Sequence, residues 1–291
     1  MGSRALLLLN PKARQGASAA PAFDRLREAG FELIEPTEEF NRYSDAVRAY
    51  ADKVDLVIAG GGDGTLTGAV DGVVEAGLPL GVLPLGTAND LARTLDLPAD
   101  PVAAADVIIA GHRRRIDLGW VNGTHFFNVA SIGISTAITR KLSRESKSRW
   151  GVLAYPMAAF TVVTRARPFR AEIVAAGETI HVKTVQVAVG NGRYYGGGLV
   201  IDAAATIDDA TLHLVSLEVD HWWQMIPLMP RFRNGTLGAS KRVRVLTGTE
   251  FEVRPAKKRK KIMADGEVSG RGPAVFRVVP KALAVFALKS E

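Results

Sequence analysis

The run that most constrains this chain is Gly60-Gly61-Gly62-Asp63-Gly64-Thr65. It follows the mostly apolar stretch Val54 to Ala59, which reads as a buried strand. It opens a helical pattern from Leu66 to Ala76. Glycines in such a loop permit positive φ and let the backbone approach a bulky anion. Successive backbone N–H groups ahead of a helix N-terminus then form a phosphate site. Asp63 is suited to hold a metal or a positioned water, and Thr65 to bond a phosphate oxygen. The bland alternative is a tight strand-to-helix turn without a ligand, but four glycines and an aspartate exceed what a turn requires. The spacing fits neither a Walker loop nor a dinucleotide fingerprint.

Around this loop, strands and helices alternate. Leu6 to Leu9, Phe31 to Ile34, Val54 to Ala59 and Leu80 to Leu83 read as strands. Ala19 to Ala29, a segment capped by Ser44-Asp45, and Leu66 to Ala76 read as helices, and Asn89-Asp90 starts another. This order predicts a mostly parallel sheet covered on both faces. A second glycine loop, Pro84-Leu85-Gly86-Thr87-Ala88-Asn89-Asp90, follows the next strand. Loops at the carboxyl ends of neighbouring parallel strands line one crevice, so both loops are expected to face one ligand. Taken alone, the second loop is equally a capped helix start.

Near Arg113 to Asp117 the texture changes to closely spaced strands. Asn122-Gly123 marks a hairpin between Asp117–Val121 and His125–Val129. Further strands are expected at Ala171 to Val174, Val182 to Val189, Thr211 to Leu217, Arg242 to Leu246, Phe251 to Arg254, Ala274 to Val279 and Leu283 to Leu288. One or two helices are expected between Ser135 and Thr164. The fold class is therefore α/β: an N-terminal, mostly parallel nucleotide-binding domain over residues 1–116 and a C-terminal β-rich, sandwich-like domain over 117–291.

Composition narrows the chemistry. Hydrophobic residues make up 47% and charged residues 23%, enough for a sizeable core. No apolar run reaches the roughly 18 residues of a membrane span, and Asn10-Pro11 breaks the only apolar N-terminal run, so a cytoplasmic protein is expected. Without cysteine there are no thiolate nucleophiles, and the five histidines lack paired ligand spacing. Catalysis is left to carboxylates, hydroxyls, backbone amides or a metal arriving with the substrate. The net charge of +7 favours a polyanionic partner: a nucleotide, a nucleic acid or an anionic membrane.

Gly-Gly-Asp-Gly-Thr followed by Leu-Gly-Thr-Ala-Asn-Asp resembles the diacylglycerol kinase catalytic-domain family, which includes sphingosine kinases and bacterial YegS-like lipid kinases. The resemblance runs along the whole chain: Asn10-Pro11, Phe127-Asn128 with Gly133, Gly190-Asn191-Gly192 with Gly196-Gly197-Gly198, and Asp265-Gly266-Glu267 all fall in the family's order. It implies an ATP-dependent, Mg2+-requiring kinase acting on a hydroxyl of a membrane lipid. It implies a nucleotide site at Asn10, Thr37, Gly61, Gly62, Asp63, Gly64, Thr65, Leu66, Thr67, Gly68, Gly86, Thr87 and Asn89. Glu267 falls on the family's catalytic carboxylate, with Asp63 on the nucleotide side. A structural magnesium would use Asp209 and the backbone carbonyls of Thr206 and Thr211. Two positions depart from the family. Thr67-Gly68 stands where Asn-Glu is usual, which removes a carboxylate beside the nucleotide. Ala210 stands where Gly usually follows the metal aspartate.

Without the resemblance, Glu267 would be a solvated residue after a two-residue Asp-Gly turn. The run Lys257 to Lys261 reads either as a solvated loop or as a contact for an anionic membrane. His221-Trp222-Trp223 with Met225, Ile226, Leu228 and Met229 suits either core packing or a membrane interface. A peripheral membrane contact is expected and a nucleic-acid partner is not; nothing specifies an oligomeric state. Two alternatives stand beside the lipid kinase: a small-molecule kinase of the NAD kinase type on the same fold, and a catalytically silent membrane-binding protein.

Overall fold

The computed structural model describes residues 2–10, 19–134, 167–192, 194–195, 199–200, 205–228, 230–231, 236–257 and 260–289. The helices expected between Ser135 and Thr164, and the motif residues Pro11 and Gly196 to Gly198, lie outside them.

Four parallel strands form the first half: β1 (Arg4–Leu9), β2 (Glu32–Ile34), β3 (Leu56–Gly61) and β4 (Leu80–Pro84), in the order β2-β1-β3-β4. Successive side chains point to opposite faces, so β1 feeds two cores. Leu6 and Leu8 pack with Ala46 and Val47 of α2 (Tyr43–Tyr50) and with Leu66, Val70 and Val73 of α3 (Asp63–Ala76). Ala5 and Leu7 pack with Ala22 and Leu26 of α1 (Ala20–Glu28), the short α4 (Asp90–Thr94) intervenes in sequence, and Ala104 and Ile108 of α5 (Pro101–Ala110) complete that face. Helix α5 is absent from the sequence reading, although Asp100 caps it by accepting the Ala103 N–H at 2.9 Å. Ser44 was expected as a cap of α2; it instead sits inside the helix and donates its hydroxyl to the Gly68 carbonyl at 2.7 Å, joining α2 to α3.

The second half is antiparallel. It comprises β5 (Arg113–Val121), β6 (Thr124–Phe126), β7 (Val129–Gly133), β8 (Phe169–Ala175), β9 (Glu178–Thr184), β10 (Gln186–Gly190), β11 (Tyr194–Tyr195), β12 (Leu199–Val200), β13 (Leu212–Leu217), β14 (Val243–Gly248), β15 (Glu250–Pro255), β16 (Lys261–Ala264), β17 (Glu267–Arg271) and β18 (Ala274–Phe286). Among the described residues one sheet runs β14-β13-β10-β7-β16-β17. The other continues the parallel sheet through β18, β15, β8 and β9, with β5 attached to β18 and β6 to β5. Val187, Val189, Ile132 and Ile262 of the first face Phe251, Phe276 and Ile173 of the second across a shared core. This is a sandwich in the usual sense of two packed sheets.

Three local readings are corrected here. Val182 to Val189 is two strands in different sheets, because Thr184 turns its hydroxyl onto the carbonyls of Gln186 and Leu217 at 2.8 and 2.9 Å and breaks the ladder. His125 to Val129 likewise splits into β6 and β7. The segments expected at Ala274 to Val279 and Leu283 to Leu288 form one strand, β18, which ends at Phe286: it shifts register between Val279 and Leu283, with Lys281 at φ 50°, and continues on β5. Its end also pairs parallel to β4 at Val285–Leu80, so the chain's last strand returns to the first sheet.

Candidate functional site

The order β2-β1-β3-β4 places a topological switch between β1 and β3. Ligands of open α/β sheets bind beyond the strands' carboxyl ends at such a point. A cavity of about 800 Å³ lies there, lined by Leu9 at the end of β1, Glu35 and Pro36 after β2, and Gly64, Thr67 and Gly68 at the start of α3. Ala264, Glu267, Val268 and Ser269 of the sandwich close its other side. Residues more than 190 positions apart therefore share one wall: a Cβ on Gly64 would lie 3.8 Å from Glu267 Oε1.

The glycines of the first loop serve close approach. None of Gly60, Gly61, Gly62 and Gly64 has a positive φ, contrary to the expectation from the sequence. A Cβ on Gly61 would stand 2.3 Å from Thr65 Oγ1, and one on Gly86 would stand 2.3 Å from the Gly62 Cα. The two glycine loops thus touch backbone to backbone, which no larger residue permits. Asn89, in the left-handed region at φ 50°, braces the second loop: its Oδ1 accepts the Gly86 N–H and its Nδ2 donates to the Gly86 carbonyl, both at 3.0 Å. Asp63 links the loops by accepting the Leu91 N–H at 3.4 Å. Burial, and next the charge of buried Asp90, push the Asp63 carboxyl above its ordinary range.

The remaining nucleotide-site candidates fall into three groups. Gly64 and Gly68 line the cavity, while Gly62, Gly86 and the exposed Thr87 sit in the adjoining loops, joined by the Gly62–Gly86 contact. The Asn10 N–H donates to the Gly60 carbonyl at 3.1 Å, and exposed Thr37 hangs on Tyr50 Oη by its N–H at 3.2 Å, beside the cavity residues Pro36 and Glu38. Leu66 and Thr65 are buried, and the Thr65 hydroxyl lies beneath Gly61 with no hydrogen-bonding partner among the described residues. Gly68 leaves room for Tyr43, whose ring would meet a Cβ there at 3.0 Å. The family's missing carboxylate position is therefore filled by an aromatic face.

Asp265 is the residue that sequence reasoning underrated. In the sequence it is one member of the Asp265-Gly266-Glu267 motif and half of a turn, and the turn exists: Asp265 and Gly266 have φ 43° and 86°. Its carboxylate also accepts the backbone N–H groups of Phe127 at 2.6 Å, Asn128 at 3.0 Å and Val129 at 2.9 Å, and the Thr67 hydroxyl at 3.4 Å. The aspartate thus ties α3, the β6–β7 junction and the Glu267 turn together. Asn191 completes the knot by donating to the Asp117 and Phe127 carbonyls at 2.9 and 3.0 Å. Three motifs far apart in the sequence, around Asn128, Asn191 and Asp265, meet next to Thr67 and Ala264, which line the cavity.

Asp209 lies apart from this cavity. Its carboxylate accepts the N–H groups of Thr206 at 3.0 Å and Thr211 at 2.9 Å. Ala210 sits at φ 56°, which explains why glycine suits that position. Its N–H donates to Asp117 Oδ2 at 2.6 Å, and Asp117 Oδ1 accepts the Lys281 N–H at 2.7 Å. Among the described residues no cluster of three or more acidic or histidine side chains forms a metal centre by itself.

Comparison with known proteins agrees with this geometry. Residues 4–121 match the diacylglycerol kinase catalytic domain, and residues 128–287 match the YegS C-terminal NAD kinase beta sandwich-like domain. The chain is 36% identical over 219 residues to a Klebsiella pneumoniae protein named "Probable lipid kinase YegS-like", covering 72% of each. It is 28% identical to a diacylglycerol kinase of Staphylococcus aureus, over 99% of this chain and 93% of that one. A crystal structure of a diacylglycerol kinase from Bacillus anthracis superposes with a TM-score of 0.80 at 25% identity, covering 98% of this chain and 97% of its own.

Proposed function

Because this chain belongs to the diacylglycerol kinase catalytic-domain family, we propose that it is an ATP-dependent lipid kinase that transfers the γ-phosphoryl group to a hydroxyl of a membrane lipid. The observation that carries the proposal is the meeting of Glu267 with the glycine loop across one cavity. In this reading residues 1–116 hold the nucleotide and residues 117–291 present the lipid. The backbone N–H groups of Gly61 to Thr65 and the Gly86–Thr87 loop cradle the phosphates. Glu267 orients the accepting hydroxyl and takes its proton as the new P–O bond forms.

Magnesium fits the site. Asp63 and Asp90 are carboxylates close enough to raise the Asp63 pKa, a repulsion that a hard cation relieves. Mg2+ typically uses one or two carboxylates together with substrate phosphates. Asp63 would hold it, and it would supply charge neutralisation on the phosphates. No helix among the described residues is long and apolar enough to cross a membrane. In this reading the kinase meets its lipid peripherally, from the cytoplasm.

The test is radiolabelled ATP with a total lipid extract, followed by identification of the labelled lipid. Hydrogen exchange over Gly60 to Thr65 should slow with Mg-ATP. Absence of any labelled lipid together with unchanged exchange at saturating nucleotide would remove the reading.

A second magnesium, at Asp209 with the Thr206 and Thr211 carbonyls, is proposed as a structural ion. Asp209→Ala should lower stability by about 1–2 kcal/mol through its lost N–H partners alone. It should also abolish any rise in melting temperature that magnesium gives the parent protein. Equal magnesium dependence in both proteins would rule the ion out.

A further inference from the structure

Resting on the lipid-kinase reading, we propose that the end of the sandwich remote from Glu267 is a docking face for an anionic bilayer. Trp223 and Ile226 would enter the interface, and Lys241, Arg242, Lys257, Lys260 and Lys261 would lie over lipid phosphates.

Strand register brings these residues to one end. Leu217 pairs with Val243 and Gln186, Gln186 pairs with Gly133, and Ile262 pairs with Ile132. The first residues of β14 and β16 therefore share an edge of the sheet. Lys241 and Arg242 immediately precede β14, while Lys257, Lys260 and Lys261 lead into β16. The other sheet joins the same end: the Thr184 hydroxyl donates to the Leu217 carbonyl, and Lys260 Nζ lies 4.1 Å from the centre of the Phe169 ring. Glu218 and Asp220, which follow β13, are already paired with Arg244 at 2.8 Å and Lys183 at 2.6 Å, and Glu252 is paired with Arg254 at 2.6 Å. None of the five cations has an ion-pair partner among the described residues, so the positive charge of this end is uncompensated.

The apolar component is equally local. The 3-10 helix Trp222–Leu228 buries Met225 and Leu228 against Val185, Leu217 and Val243, which fixes it to this same end. Its outward side leaves Trp223 52% and Ile226 59% exposed. The Trp223 ring is held flat against His221, with centroids 6.1 Å apart and planes 8° from parallel. Large exposed apolar groups sharing one end with unpaired cations are the composition of an interfacial anchor. A face built for nucleic acid needs the cations without Ile226.

The face also connects to the chemistry. Strand β17 lies at the end of its sheet and runs from Glu267 to Arg271, which pairs with Lys261. Four residue steps span about 13 Å, and Val268 and Ser269 along the way line the cavity. A lipid lifted from this face has its hydroxyl within one short strand of Glu267.

The experiment is co-sedimentation with phosphatidylcholine vesicles, with and without one quarter phosphatidylglycerol. Three proteins are compared: the parent, Trp223→Ala with Ile226→Ala, and Lys257, Lys260 and Lys261 all replaced by Gln. Circular dichroism establishes that each is folded. The apolar variant should bind anionic vesicles about tenfold more weakly. The charge variant should lose roughly fivefold per residue at low salt and become less sensitive to added salt than the parent. Both should phosphorylate lipid dispersed in detergent micelles as fast as the parent. Parent-like vesicle binding by the folded apolar variant overturns the proposal. So does a charge variant that loses affinity for single-stranded nucleic acid while keeping its affinity for vesicles. Trp223-dependent vesicle binding by a parent protein that phosphorylates no lipid would sustain the docking face while removing the lipid-kinase reading.

Discussion

Replacing Glu267 by Gln is expected to slow lipid phosphorylation by about 10²–10⁴-fold while leaving nucleotide affinity near that of the parent. The substitution keeps shape and removes only charge and proton-accepting capacity. Glu267 is exposed at the start of β17, so folding should barely register the change. The phosphates are assigned to backbone N–H groups across the cavity, which the substitution does not reach. Turnover and nucleotide binding should be measured together on the lipid that the extract assay identifies. Near-full turnover would return Glu267 to the role of a solvated hairpin residue. Parallel loss of binding and turnover would instead assign it to the nucleotide, against the role proposed here.

Asp265→Ala should act by a different route, with a stability loss on the order of 3–5 kcal/mol. It strands the N–H groups of Phe127, Asn128 and Val129 and releases the turn that aims Glu267. Denaturant unfolding checks the figure, and an unchanged midpoint would mean that the carboxylate is dispensable. The residue also sets a pH dependence. Burial, opposed by the N–H donors, pushes its carboxyl from 3.8 up to about 6. Between those values the folded protein keeps a proton that the unfolded chain releases. Its contribution to stability is therefore fully present below pH 3.8, falls as pH rises to about 6, and is level above. Asp265→Asn should flatten that slope.

What the sequence disclosed and what it withheld divide along a physical line. The glycine loops were legible because close backbone approach demands glycine at Gly61 and Gly86, whatever else surrounds them. The parallel order was legible because buried strands and amphipathic helices carry different periods. The knot at Asp265 was not, because its partners lie about 137 positions away and only the folded register brings them together. The break at Val185 was equally hidden: it depends on the Thr184 hydroxyl finding the Leu217 carbonyl 33 residues on. Helix α5, by contrast, carries its start and stop signals openly in Asp100, Pro101 and Gly111. Ser44 has a capping residue's identity, but its hydroxyl serves the packing of two helices.

Strand β18 has a consequence for how the protein is made. A ribosome releases β4 and β5 long before β18, yet both lean on it: Leu80 pairs with Val285, and Arg113 pairs with Phe286. Until those last residues emerge, the nascent first half has an open sheet edge and an unfilled seat for Leu283 and Val285 in its core. Exposed edges and late, long-range pairings are where growing chains aggregate or require a chaperone. The nucleotide half is thus committed to wait for β18.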